Sequence, residues 1–94
     1  MFFVYIMASQ GNGTLYVGST SDLAKRVTEH KNKIIPGFTT KYKINQLVYY
    51  EIHNSYEDAA KREKRFKNWN RQWKLNLIEE LNPTWRDLYE DICA

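Results

Sequence analysis

A single cysteine, Cys93, stands in a chain of 94 residues, so no disulfide can form within it and no cysteine pair is offered to a metal. That economy suits a reducing compartment, and the expected location is the cytoplasm. No apolar run is long enough to span a bilayer. The N-terminal FFVYIMA passes at once into SQGNGT and lacks the basic leader of a signal peptide. Two prolines and four glycines leave little punctuation, and there is neither a repeat nor a low-complexity tract. The length suits one domain, taken as residues 1–94. Charge is missing too: the first twenty residues carry no charged side chain.

What is present is aromatic and basic. Three Trp, seven Tyr and four Phe can fill the core of a small domain. Residues 21–45 hold six Lys/Arg against Asp22 and Glu29, and residues 61–74 (KREKRFKNWNRQWK) hold seven against Glu63 alone. The last twenty residues reverse the sign, with five acids against Arg86. Two basic blocks point to a polyanion such as nucleic acid. The same blocks also read as solvated helix faces, and charge alone does not choose between them.

FFVYIMA (2–8) and TLYVG (14–18) are β-rich, with SQGNG between them as hairpin punctuation. A two-residue Asn12-Gly13 turn would set Tyr5 and Tyr16 on one face, whereas a three-residue Gly-Asn-Gly loop would set them on opposite faces. A helix is expected from near Asp22 to about Lys33, capped by Ser21 or Asp22. At about 3.6 residues per turn its apolar stripe is Leu23, Val27 and Ile34, with Arg26 and His30 on the flank of that stripe. After a loop broken at Pro36-Gly37, QLVYYEI (46–52) reads as a third strand apolar on both faces. Ser55-Tyr56-Glu57-Asp58 resembles a capping box opening a second helix. Its stripe is Tyr56, Ala59, Ala60 and Phe66, and Glu63 falls inside it. A carboxylate turned inward is costly unless it is paired or bound to metal. Trp69, Trp73, Leu77 and Leu81 continue a helical spacing as the core face of a further helix, after a bend near Asn68 and stopped by Asn82-Pro83. The acidic tail is expected to pack Trp85 and Leu88 back onto the body.

These placements gather Tyr5, Tyr16, Arg26, His30 and Glu63 on one side of a three-stranded sheet. The planar fork of an arginine grips phosphate. One carboxylate can hold Mg²⁺ or Mn²⁺ that keeps water and substrate oxygens as its other ligands. Tyrosine or histidine can take a proton from attacking water. Together these groups suffice for phosphodiester hydrolysis, and singly none does. Taken one at a time, the tyrosines also read as half-buried strand aromatics and His30 as an ordinary inward histidine. Arg26 could pair with Glu29, Asp22 or Glu63. Trp69 and Trp73 could stack on bases but more readily belong to a core.

Val4-Tyr5-Ile6, then Leu15-Tyr16-Val17-Gly18, then LAKR (23–26) and His30 resemble the opening of the GIY-YIG nuclease domain. The later KREKRFKNWNRQWK and LIEELNPTWRDLY are similar to small stand-alone bacterial members, related to the nuclease domain of the excision-repair nuclease. The resemblance implies an α+β fold, a small three-stranded antiparallel sheet flanked by helices. It also implies a metal-dependent DNA endonuclease using Mg²⁺ or Mn²⁺, with DNA repair or recombination as its setting. Carried over, Tyr16 activates or orients the water, Tyr5 is its partner, Arg26 binds the scissile phosphate, His30 assists proton transfer, and Glu63 binds the metal. Gly18 would let the chain turn closely past the phosphate. Two positions depart from the family: Ser19 stands where some members have lysine, so that phosphate contact is either missing or supplied by Lys25, and Leu75 lies near where many have asparagine. Lys41, Tyr42 and Lys43 are the candidate substrate contacts in the long loop. The alternative is a nucleic-acid-binding module of the same fold without cleavage. DNA is the expected partner and no membrane is, while a homodimer or a partner protein stays open as a source of specificity.

Overall fold

A computed structural model describes residues 1–32 and 42–93 of the chain. Three strands, β1 (Phe2–Ala8), β2 (Leu15–Thr20) and β3 (Gln46–His53), form one antiparallel sheet in the order β2-β1-β3. Helix α1 (Leu23–Lys31) follows β2. Helices α2 (Tyr56–Asn68), α3 (Arg71–Leu81) and the short α4 (Tyr89–Cys93) follow β3. This is the α+β architecture that the sequence led us to expect.

The central strand is buried on both faces, with Val4 to Ala8 fully covered. Its even residues Val4, Ile6 and Ala8 pack with Val17, Val48 and Tyr49 against Ala59 and Phe66 of α2, Ile78 of α3, and Trp85. Its odd residues Tyr5 and Met7 pack with Leu47 and Ile44 against Leu23 and Val27 of α1, bordered by Leu88, Tyr89 and Ile92. The sheet is therefore sandwiched, α2 and α3 on one face and α1 and α4 on the other. A shift in register between Ile6 and Met7 explains why β3 reads as apolar throughout. Leu47 pairs with Met7 and Tyr49 with Ile6, so Val48 is the extra residue of a bulge and joins Tyr49 in the even-face core.

The hairpin takes neither of the two expected turns. Tyr5 pairs with Gly18 and Met7 with Tyr16, and Ser9 donates its amide to Thr14, leaving Gln10 to Gly13 as a four-residue connection. Asn12 adopts φ of 57°, a left-handed conformation that asparagine tolerates. This register still sets Tyr5 and Tyr16 on one face. Arg71 fastens the connection from outside, donating to the carbonyls of Asn12 (2.9 Å) and Gly13 (2.7 Å).

The first two helix caps agree with the sequence reading, and Asn70, within the expected bend, proves to be a third. Asp22 accepts the amide of Lys25, Ser55 that of Asp58, and Asn70 that of Trp73. Helix α1 ends at Lys31 rather than Lys33. Three expected core positions are corrected. Trp73 is 55% exposed and Leu81 70%, because α3 buries only Ile78 fully and the flank bearing them turns outward. Tyr56, in the first turn of α2, is 65% exposed and meets Phe2 edge-on, ring centroids 5.9 Å apart. Trp69 caps α2 instead of opening α3, with its ring 4.9 Å from Phe66. The tail is clipped to β3 through buried Asn82, whose amide donates to the carbonyls of Val48 and Arg86 and accepts the Arg86 amide.

Candidate active site

Tyr5, Tyr16 and His30 meet on the odd face of the sheet. Their ring centroids form a triangle with sides of 6.3 Å (Tyr5–Tyr16), 6.0 Å (Tyr5–His30) and 5.3 Å (Tyr16–His30). Tyr5 is fully buried, His30 is 3% exposed, and Tyr16 is half-buried at the rim. The Tyr5 hydroxyl and His30 Nε2 share a hydrogen bond of 3.1 Å. Helix α1 makes this possible because Leu23 and Val27 anchor it to the sheet, and His30, one turn on, points into the same interface.

Gly18 is where the face opens. A Cβ there would stand 2.6 Å from the Tyr5 hydroxyl oxygen, 2.7 Å from Tyr5 Cζ and 3.1 Å from Tyr16 Cε2. The glycine is needed because the end of the Tyr5 ring lies over its backbone. That is a nearer reason than the phosphate approach which the family resemblance suggested.

Burial pushes the Tyr5 hydroxyl far above its ordinary pKa, and Tyr16 and Glu63 add to the shift more than the neighbouring Arg26 guanidinium removes. Tyr5 therefore stays protonated. It is unsuited to take a proton from water but able to hold His30 by a hydrogen bond. Burial lowers the His30 pKa, with Arg26 adding and Glu29 opposing, so the imidazole is neutral near pH 7. Arg26 is half-exposed and sits 3.5 Å from Glu29, the partner that the sequence had offered as one alternative.

Glu63 is not on this face. It projects from α2, which covers the even face, and reaches the edge strand β2 from the opposite side. The Ser19 hydroxyl donates to its Oε1, and Lys67 Nζ donates to its Oε2 at 2.6 Å. The expectation of one shared side is corrected in this way: four residues lie on the α1 face and the carboxylate on the α2 face. The halves meet at the sheet edge, because Gly18 carries Tyr5 and the next residue, Ser19, carries Glu63. Consecutive Cα atoms are about 3.8 Å apart, so a ligand spanning the edge can touch both. Ser19 and Lys67 are the site residues that sequence reasoning missed. Lys67, four residues after Glu63 on one helix, was detectable as an i,i+4 pair. Ser19 was seen only as a departure from lysine.

Burial alone would raise the Glu63 carboxyl, but hydrogen bonds from Lys67 and Ser19 and the Lys67 charge outweigh it, and its pKa lies below the usual value. The group is ionised near neutrality and its side chain is 22% exposed. Among the described residues no three His, Cys, Asp or Glu side chains cluster to cage an ion. A lone ionised, accessible carboxylate fits Mg²⁺ or Mn²⁺, which keep waters and substrate oxygens as most of their ligands. It does not fit an all-protein zinc site.

Of the other candidates, Lys25 is exposed beside the N-cap of α1. Tyr42 and Lys43 are exposed ahead of β3, with Lys43 at φ of 55°. Lys41 lies outside the described residues. No described helix is long and apolar enough to cross a membrane.

A small antiparallel sheet sandwiched by helices, with paired tyrosines on its first two strands and a histidine from the following helix, defines an α+β fold with an aromatic cluster at one sheet edge. The chain belongs to the GIY-YIG family, whose catalytic domain matches residues 1–76. Among its relatives, UPF0213 proteins of Staphylococcus saprophyticus and Staphylococcus epidermidis are each 37% identical over 78 residues, spanning 83% of this chain and 94% of theirs. The solution structure of a UPF0213 protein from Bacillus halodurans superposes with a TM-score of 0.57 at 25% identity, covering 93% of both chains. The family is one of nucleases that generally depend on a divalent metal, which implies DNA as substrate. The UPF0213 designation itself states no activity.

Proposed function

We propose that this protein is a DNA endonuclease that hydrolyses phosphodiester bonds at the β2 edge, with Mg²⁺ or Mn²⁺ held by Glu63. The observation that carries the reading is the edge itself: a triangle of Tyr5, Tyr16 and neutral His30 on one side of Gly18-Ser19, and an ionised carboxylate on the other. Arg26, at the rim beside Tyr5, grips a phosphate oxygen with its guanidinium once Glu29 is displaced. Tyr16, the most open of the three rings, orients the attacking water. His30 is neutral and next to Tyr16, so it accepts the proton, while the Tyr5 hydroxyl fixes its ring. The metal, when bound, polarises the phosphate and stabilises charge on the leaving oxygen. Ser19 orients the Glu63 carboxylate, and Lys67 must yield Oε2 for a cation to approach.

The test is cleavage of supercoiled plasmid and of branched or flapped DNA with Mg²⁺ or Mn²⁺, comparing the protein with Glu63→Gln. The expected result is cutting by the native chain only, with DNA binding retained in the variant. If neither protein cuts and both bind in a salt-dependent way, a binding module of the same fold becomes the better reading. Equal cutting by both would remove Glu63 from the chemistry.

A further inference from the structure

Helix α2 divides its charge between two flanks. Glu63 and Lys67 face the β2 edge, while Asp58, Lys61, Arg62 and Arg65 face the opposite edge, at the end of β3. There, with His53, they line a cavity of about 250 Å³. Arg62 is committed to Glu51 through Nε at 2.9 Å. Among the described residues Lys61 and Arg65 make no ion pair, and both are exposed. His53, the last residue of β3, forms part of the cavity wall. His53 Nε2 is a buried side-chain nitrogen without a hydrogen-bond partner, its nearest acid being Glu51 Oε2 at 3.6 Å, beyond hydrogen-bond reach. That nitrogen is sealed from solvent, so the groups that the cavity offers to a ligand are the two exposed cations.

From this cavity we infer a second phosphate-binding subsite, formed by Lys61 and Arg65 beside His53 and taking a backbone phosphate of the DNA. The inference rests on the reading of this protein as DNA-binding, and adds a contact across α2 from Glu63. The chemistry suits a phosphate: two separated cations can address different oxygens of one tetrahedral anion. Asp58 on the same wall opposes the anion, which fits a site for a phosphate bound and released with its DNA rather than a tight store for a free ion. The two anchoring groups differ in role. Arg65 offers a planar fork and Lys61 a point charge, so Arg65 fixes orientation while Lys61 adds attraction.

The experiment measures affinity for a fluorescein-labelled duplex by anisotropy in metal-free buffer, across a series of salt concentrations. It compares the native chain with Lys61→Gln/Arg65→Gln, Asp58→Asn and Lys64→Gln. Thermal melting checks that each variant is folded. The expected result for the double variant is weaker binding, with a log–log salt slope shallower by about 1, the loss of one phosphate contact. Asp58→Asn is expected to bind more tightly. Lys64→Gln removes one charge from the same helix outside the cavity, and is expected to change affinity by less than half as much on the logarithmic scale. An unchanged slope in the double variant, or an equal loss from Lys64→Gln, would overturn the subsite. Because no metal is present, this outcome is separate from cleavage: a chain that cuts but shows no slope change loses the subsite and keeps the nuclease reading. One that binds as expected but never cuts keeps the subsite and loses the nuclease.

Discussion

Gly18→Ala is the sharpest probe of how the site is built. The added methyl would stand 2.6 Å from the Tyr5 hydroxyl oxygen and 2.7 Å from Cζ. The far end of a flexible side chain could swing away, but Tyr5 is fully buried on the central strand and its hydroxyl is bonded to buried His30. Either the two strands part or the ring tilts and breaks that bond. Overpacking of this kind costs about 1–3 kcal/mol, and leaving a buried polar partner unsatisfied costs about 1–3 kcal/mol more. Together these come to about 2–6 kcal/mol, and centred on about 4 kcal/mol the melting temperature of a domain this size should fall by about 16–32 °C. Differential scanning calorimetry reads the fall directly. Gly11→Ala is the internal control, since its Cβ would meet only Trp85 Cβ at an ordinary 3.7 Å. A second check couples the residues: removing the hydroxyl with Tyr5→Phe should make the pair of changes less than additive. A Gly18→Ala melting temperature within about 4 °C of native would mean that Tyr5 does not lie over this glycine, and the account of the open edge would fail.

Other expectations follow from the same contacts. Asn82→Ala removes three hydrogen bonds and strands the Val48 carbonyl, and should cost about 2–4 kcal/mol by urea denaturation. Arg71→Ala releases the Asn12 and Gly13 carbonyls at an exposed site and should cost about 1 kcal/mol, with amide exchange accelerated in residues 10–13. His30 has a lowered folded pKa, so the unfolded chain takes up its proton first as pH falls. Its stabilising contribution is complete above about 6.5, the unfolded value, and is lost as pH drops through the folded one. Glu63 is also lowered, and adds a further loss as pH falls below the ordinary carboxyl value and through its own. Stability followed by denaturation across pH should decline in that order, and His30→Asn should flatten the upper step only.

The odd face of the sheet was legible where its signals are local. Leu23, Val27 and His30 recur at helical spacing, so that face of α1 points inward whatever the hairpin does, while Tyr5 and Tyr16 share the face only through the register that the hairpin takes. The family match then gave those residues an order. The hairpin register was not legible, since SQGNG allows loops of several lengths and only the pairing of Ser9 with Thr14 selects one. Trp73 misled for a different reason. Periodicity shows that residues share a helix face but not that another element covers it, and α3 turns only Ile78 fully inward.

Glu63 combines both kinds of information. Its inward spacing was visible in the sequence, but which face of the sheet α2 covers depends on the crossover after β3, and no local pattern encodes that. Placing all five residues on one side assumed a single pocket. On the nuclease reading proposed above, having them on two sides puts a different demand on the substrate, because one phosphate would have to lie over the β2 edge to meet both Arg26 and Glu63. An edge strand can serve such a site only if its residues there are small, and this chain has Gly18 followed by Ser19. The serine noted as a departure from lysine thus has a physical reason to be there. Its hydroxyl, held close to the strand, donates to Glu63 Oε1 and orients the carboxylate, a contact that a lysine ammonium at the end of a four-carbon stem would not make from the same place.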